Sequence, residues 1–423
     1  MKNIILIFLL FIAYQSPAQF EPNYDESKIP EFILPDNLIS NGNTTILNAD
    51  QWEKIRRPEI LELFESEVYG KIPDQDIEVE FKIVDVRKEA LDGLAERKQI
   101  KIVFSGNDKE LSADLLIYLP AERTDAVPLF VGYNFYGNHT INPDPEIWLA
   151  SSWIRNNSAV DISDNKANEL SRGFRTGRWP VQYILSRGYG IANLYYGDLD
   201  PDYDDNFKNG IHPLFYAQGQ SKPAPDEWGS IGAWAYGLIQ AMNYFETDDG
   251  IDQTKIAVIG HSRLGKTSLW AGALDERFAM VISNESGCGG AALSKRRIGE
   301  TVGRINTVFP HWFNDNFNKY NEDEDALPVD QHMLIALMAP RPVYIASAKG
   351  DPWADPKGEF LSGAYARPVY NLYGLQGLDK DKMPPLNSPV NEGHVGYHIR
   401  SGEHDLTYYD WAQFLNFADR FLK

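Results

Sequence analysis

A hexapeptide, Gly260-His261-Ser262-Arg263-Leu264-Gly265, stands between an apolar run at 256–259 and a helix-like stretch at 266–274. That placement describes a serine at a sharp strand-to-helix turn. Such a turn lifts the hydroxyl above the sheet edge and aims backbone N–H groups at the same point, the geometry of a nucleophile in acyl transfer. A serine hydroxyl reacts only when a base takes its proton, and an imidazole serves as base only when a third group fixes its tautomer. In enzymes built on this turn the chain order is nucleophile, acid, histidine, with the histidine beyond the last strand. His404, in Gly402-Glu403-His404-Asp405 after a strand-like run at 395–399, stands where that order requires.

Two carboxylates compete for the third place. Glu285 lies in Asn284-Glu285-Ser286-Gly287-Cys288-Gly289-Gly290, behind a run at 280–283. Asp351 lies in Lys349-Gly350-Asp351-Pro352-Trp353, behind a run at 343–348. Both fall at inferred carboxyl ends of strands, where sites of open α/β sheets gather, and the general rule of the fold favours Asp351. Whichever is not the main partner reads equally well as a turn-capping carboxylate.

A tetrahedral intermediate also needs donors aimed at its oxyanion, each contributing on the order of 3 kcal/mol. The backbone N–H of Arg263 is the first, and its guanidinium can supply a second; an arginine here is equally well the partner of a nearby acid. The other histidines carry less. His261, beside the serine, is expected to point away from it and pack. His394 and His398 have a spacing that suits a metal only on a helix, yet they fall on a strand, so no metal site is expected. His139, in Asn138-His139-Thr140, is expected to order the loop after a run at 129–133.

These side chains need a scaffold to bring them together. Alternating segments at 78–86, 98–104 and 111–119 predict an opening meander of strands. Compact apolar runs at 129–133, 191–194, 256–259, 280–283 and 343–348 predict strands buried on both faces, with helical patterns at 179–186, 231–245 and 266–274 between several of them. The alternation predicts an α/β fold with a doubly wound, mostly parallel sheet between helical layers. A last strand at 395–399 and an amphipathic helix at 408–422 close the chain. Two aromatic and polar stretches, 142–178 and 306–327, break the rhythm after sheet strands and are expected to wall a cleft.

The 423 residues, 43% hydrophobic and 24% charged, carry no linker, repeat or low-complexity tract, so a single domain over 19–423 with those two insertions is expected. Residues 1–18 read as an export signal: Lys2, an apolar core at 4–13, and the small-residue site Ser16-Pro17-Ala18. The core is too short to span a membrane, and no other stretch reaches the roughly 20 residues required. A lone Cys288 excludes an intrachain disulfide and, being far from the signal, a lipid anchor; in an exported chain this suits a bacterial periplasm or exterior. Sixty acidic against forty basic residues give a net charge of -20 with no basic stripe, which argues against nucleic acid as a partner. An acidic polysaccharide would have to be held by local positive charge.

With these residues assembled, the chain resembles the glucuronoyl esterases of carbohydrate esterase family 15, which are α/β-hydrolases. Their serine signature is Gly-Cys/His-Ser-Arg-x-Gly-Lys, and 260–266 here is Gly-His-Ser-Arg-Leu-Gly-Lys. The common hydrolase elbow has glycine two places after serine; here Leu264 stands there and Gly265 follows, as the family signature has it. Likeness continues in Asn134-Phe135-Tyr136-Gly137-Asn138-His139-Thr140, in 284–290, in Ala339-Pro340-Arg341-Pro342, in Asp351-Pro352-Trp353-Ala354-Asp355 and at His404, covering the chain from about 128 onward.

The resemblance implies Ser262 as nucleophile, His404 as base, Arg263 as oxyanion stabiliser, and Glu285, Asp351 or both as the acid. It implies that Lys266, Glu300 and Trp353 contact a glucuronate sugar, the first by donating to hydroxyls, the second by accepting from them, the third by offering a flat apolar face. Histidine where fungal members have cysteine looks like the bacterial branch, and 142–178 resembles that branch's insertions. The implied protein is a secreted, monomeric serine esterase. It would cleave esters of glucuronic or 4-O-methyl-glucuronic acid, as in the lignin-carbohydrate links of glucuronoxylan, through an acyl-enzyme and without a cofactor. Two alternatives remain open: an acetyl or feruloyl xylan esterase using the same triad, and an inactive carbohydrate-binding protein on a hydrolase scaffold.

Overall fold

The structure, a computed structural model, describes residues 20–379 and 382–423. The export signal expected at 1–18 lies outside the described residues. Three long strands open the sheet, β1 (Glu78–Ala90), β2 (Ala95–Gly106) and β3 (Lys109–Pro120), joined by turns too short for anything but antiparallel pairing. Six more follow: β4 (Val127–Asn134), β5 (Gly190–Tyr195), β6 (Ile251–His261), β7 (Met280–Asn284), β8 (Val343–Ala348) and β9 (Val395–Arg400). Among the described residues these nine form one sheet in the order β1-β2-β3-β5-β4-β6-β7-β8-β9. β5 pairs antiparallel with β3, and from β5 to β9 every pairing is parallel. This is the α/β-hydrolase architecture.

The apolar runs alternate faces as a pleated strand must. Val258, Val281 and Ile345 enter one core; Ile259, Ile282 and Ala346 enter the other. The second core is covered by α3 (Val181–Ser186) and α10 (Tyr408–Ala418), whose Trp411, Phe414 and Phe417 face it. The first is covered by α2 (Arg57–Phe64), α4 (Ser230–Phe245), α5 (Arg263–Leu274), α7 (Gln331–Ala336), α8 (Pro356–Tyr365) and α9 (Arg367–Leu372). Trp234 and Trp270 on this face are fully buried; each removes apolar area that contributes on the order of 4–6 kcal/mol before chain entropy is counted.

The short α1 (Ala49–Gln51) runs into α2 through a π-helical stretch, Trp52–Arg56, and a second π-helical stretch, Glu65–Tyr69, continues to the core residues Val68 and Tyr69. The sequence reading assigned nothing there, because wide turns shift the apolar positions off a 3.6-residue period. Three boundaries also differ. The helix after the serine begins at Arg263 rather than 266, and the closing helix ends at Ala418 rather than 422. The stretch 306–327 opens inside α6 (Val302–Val308), after a long loop from β7, rather than directly behind a strand.

β4 lies between β5 and β6, so successive connections leave it in opposite directions and open a crevice at the carboxyl edge. The loops leaving β4, β5, β6, β7, β8 and β9 gather there.

Candidate active site

Ser262 stands between β6 and α5, as the cap of the helix, with φ 59° and ψ -130°, a conformation that costs a non-glycine residue about 1–3 kcal/mol. Its N–H donates to the Asn284 carbonyl of β7 at 2.9 Å, and Gly265 N–H closes the turn onto the Ser262 carbonyl at 2.8 Å. The turn is so tight that a Cβ on Gly260 would lie 1.8 Å from the Leu264 carbonyl oxygen. A Cβ on Gly265 would meet Ser286 Cβ at 2.9 Å, because α5 packs directly on the loop after β7. Leu264 meanwhile is buried in the core, which explains why the second glycine stands three places after the serine.

His404 Nδ1 lies 2.6 Å from Asp351 Oδ2 and 3.2 Å from Glu285 Oε2. Both competing carboxylates therefore reach the same nitrogen. Burial opposes charge on the imidazole, but hydrogen bonds and charge from the two acids overcome it and raise its pKa to about 9. Glu285, at φ 48° and almost fully buried, is pushed up to about 7 by desolvation against the pull of His404 and Arg400. Its Oε1 accepts from Arg400 Nη2 at 2.6 Å and its Oε2 from Asp405 N–H at 3.0 Å. Arg400 Nε in turn donates to both oxygens of Asp410 at 3.0 Å, and Asp410 forms the capping box of α10 with Thr407. A helix cap thus fixes the arginine that fixes Glu285. His404, Glu285 and Asp351 place one ligand atom each within 4.8 Å of one another, close enough to hold a cation. Arg400 and the imidazolium already supply positive charge to those carboxylates, so the donor set fits a proton relay better than a metal.

Ser262 and His404 line the same two cavities. No hydrogen bond joins Ser262 Oγ to the imidazole among the described residues; such contacts often close only around substrate. The Arg263 N–H, first in α5, has no preceding turn to bond to and is available to an oxyanion. The Arg263 guanidinium is held by a short contact to Asp202 and lies 4.7 Å over the Trp312 ring. Asp202 is fully buried, accepting from Tyr196, Arg155, His311 and Trp312 as well. Burial alone would raise its pKa, but those donors and the Arg263 charge hold it far below the carboxylate range.

On one side of the serine a cavity of about 340 Å³ is lined by Lys266, Glu300 and Trp353, together with Phe309 and Trp312. Burial lowers the Lys266 pKa and raises that of Glu300, each partly opposed by the other's charge. Lys266 Nζ donates to the Ser286 carbonyl at 2.5 Å, which leaves two of its three protons for a ligand. The chain's amino-terminal arm reaches this wall: the Phe20 ring meets Trp353 edge-on at 6.0 Å, and Gly299 N–H donates to the Asn23 carbonyl at 2.8 Å. Glu26 pairs with Arg296 and Lys357 at 2.6 and 2.7 Å. On the other side a cavity of about 160 Å³ is lined by Arg155, Arg175 and Arg178 from the 142–178 stretch. Both unusual stretches therefore wall the crevice, as expected.

Every site residue expected from sequence falls on these two cavities. His261 packs as expected: it is buried, its ring lying 4.6 Å from that of His404 and 6.0 Å from that of Phe135. Asn284 Nδ2 donates to the Asp405 carbonyl and to His261 Nδ1, so His261 carries its proton on Nε2. Burial, with His404 nearby, keeps it neutral. His139 bonds Ser171 at 2.8 Å and ties the β4 loop to the insertion as expected. His398 faces Asp410 at 2.9 Å inside the core, and the His394 ring lies tilted against Phe421 at 5.0 Å. Asp202, Arg400 and the arginines of the second cavity were not anticipated. Their signal was weak: Asp202 sits in 198–205, where five of eight residues are acidic, just behind a buried strand.

Comparison with known proteins points the same way. A family model for fungal glucuronyl esterase matches residues 198–374. Carbohydrate esterase MZ0003, from an unknown prokaryotic organism, is 54% identical over 408 residues, 96% of this chain and 93% of that one. A solved structure described as a promiscuous CE15 esterase from the marine bacterial metagenome superposes with a TM-score of 0.89 at 54% identity, covering 95% of this chain and all of that one. A glucuronoyl esterase from Solibacter usitatus gives 0.88 at 46% identity, over 94% of this chain and all of the other.

Proposed function

The chain belongs to carbohydrate esterase family 15, the glucuronoyl esterases, and is a carboxylic ester hydrolase; from that premise we propose that it cleaves esters of glucuronic or 4-O-methyl-glucuronic acid through an acyl-enzyme on Ser262. His404 Nε2 takes the hydroxyl proton as Oγ attacks the sugar C6 carbonyl. The oxyanion forms against the Arg263 N–H and guanidinium, in a site where such donors need no reorganisation. Collapse breaks the ester bond, and the proton on Nε2 passes to the leaving alcohol. Water, deprotonated by the same nitrogen, then releases the sugar acid. Asp351 and Glu285 share the task of holding Nδ1–H and the charge it carries. Lys266, Glu300 and Trp353 grip the sugar.

One observation supports this reading above others: an imidazole bonded through Nδ1 to an acid shares with the elbow serine a cavity bearing Lys266, Glu300 and Trp353. Ester links between glucuronoxylan and lignin alcohols are the substrates that fit it. Initial rates on benzyl glucuronate, benzyl galacturonate and an acetyl ester test it. The glucuronate is expected to react fastest, and Ser262→Ala to lose on the order of 10⁵-fold in kcat while keeping its fold. Robust turnover by that variant ends the reading, and a faster acetyl ester moves it to an acetyl xylan esterase. The export signal at 1–18 and a single monomeric domain over 19–423 belong to the same proposal. Among the described residues no helix is long and apolar enough to cross a membrane. Amino-terminal sequencing of the exported chain and its sedimentation check both points.

A further inference from the structure

The cavity on the far side of Ser262 shares only Ser262, Arg263 and His404 with the sugar-side cavity. If the acyl sugar fills the larger one, as the reading above has it, the alcohol leaves through the smaller. Its lining is unusual for a chain of net charge -20: four arginines, 155, 175, 178 and 263, and no acid. Asp202 neutralises one charge between Arg155 and Arg263, and Asp405 pairs with Arg178 at 2.5 Å. Four cations thus face two carboxylates. Arg175 has no ion-pair partner among the described residues, and its buried Nε makes no hydrogen bond. Its guanidinium lies 4.4 Å from the Phe174 ring centre and 5.2 Å from that of Tyr136. Burial and the neighbouring Arg178 charge depress its pKa against the weaker opposing pull of Tyr136 and Asp405.

A neutral alcohol would use the aromatic faces and leave that surplus charge unanswered. We propose that this cavity is a subsite for an aromatic alcohol bearing a carboxylate, with Arg175 as its anchor and the lining rings of Phe135 and Tyr136 flanking the ligand's ring. A planar guanidinium held over aromatic rings presents its remaining N–H groups as a fork, which matches a carboxylate.

The test compares kcat/KM for benzyl and 4-carboxybenzyl glucuronate, and for the acetates of the same two alcohols, in the wild-type enzyme and in Arg175→Gln. Wild type is expected to favour the carboxylated alcohol by about tenfold, the size of one charge-assisted hydrogen bond in a half-buried site. That preference is expected in both acyl series and to shrink with added salt. In Arg175→Gln the ratio is expected to fall to near one; being taken within one enzyme, it is blind to any general loss of activity. A wild-type ratio of one or less overturns the subsite, and a ratio unchanged by the substitution overturns Arg175 as its anchor. Turnover of the acetates without the glucuronates would sink the glucuronate reading and leave the alcohol ratio legible. Turnover of benzyl glucuronate with no preference would sink the subsite alone.

Discussion

Two carboxylates on one imidazole nitrogen set the pH at which His404 is free to accept a proton. Both favour the imidazolium, so the acid limb of kcat/KM is expected well above the 6.5 of an unperturbed histidine. Removing one negative charge destabilises the imidazolium, lowers its pKa, and makes the neutral base available at lower pH. Glu285→Gln and Asp351→Asn are each expected to move the acid limb down by roughly one unit, read from pH profiles of kcat/KM. Each should also lower kcat at its own optimum, Asp351→Asn more, because Glu285 already divides its oxygens between Arg400 and the Asp405 N–H. A variant that matches wild type in both measures would show that the two acids do not share the role. At this scale the sequence was most readable where chemistry is local: the elbow glycines, the serine and the histidine announce themselves by neighbours. Asp202 did not, since which acid of 198–205 turns inward is decided by Arg263, His311 and Trp312, each far away along the chain.

Loops and helices hold these groups still. Asp202, delivered by the loop after β5, is the buried counter-charge of Arg263, so Asp202→Asn is expected to lower kcat by up to roughly 10²-fold, approaching loss of an oxyanion donor. KM should change far less, and a pure KM effect would contradict the positioning role. Glu359 of α8 ties the loop that carries Glu285 to strand β8, which leads to Asp351: Gly287 N–H donates to its Oε1 at 3.0 Å, and Ser347 Oγ stands 2.6 Å from its Oε2. Burial raises its pKa to about 8. The folded chain therefore keeps a proton that the unfolded chain releases near 4.5, and stability carried by the neutral acid is lost as pH climbs between those values. Glu359→Gln mimics the protonated form, so its Tm should fall less than that of wild type between pH 5 and pH 8; parallel Tm curves would refute this. Strands were legible because burial on both faces leaves an unbroken apolar run. Their order and register were not, because pairing partners are chosen through space. The helix at the amino-terminal end hid behind its π-helical turns.

Across the whole molecule, the arm at 20–28 reaches the wall of the cavity lined by Lys266, Glu300 and Trp353. Trp353 has Phe20 against its edge, and Arg304 lies 5.2 Å over the Phe20 ring. Phe20→Ala is expected to raise KM for glucuronate esters by roughly two- to tenfold with kcat nearly unchanged, the worth of one edge-to-face aromatic contact that keeps Trp353 in place. An unchanged KM would show that the indole needs no such brace. The arm also bears on how the enzyme is to be handled. With the proposed export signal removed, whatever is spliced ahead of Phe20, a purification handle or a carrier protein, starts beside the cavity proposed to take the sugar, whereas Lys423 follows α10 beside Tyr189 on the opposite layer. Assays of chains extended at the front would blame the pocket for what the appendage obstructs, and fusions at the back are the fair comparison.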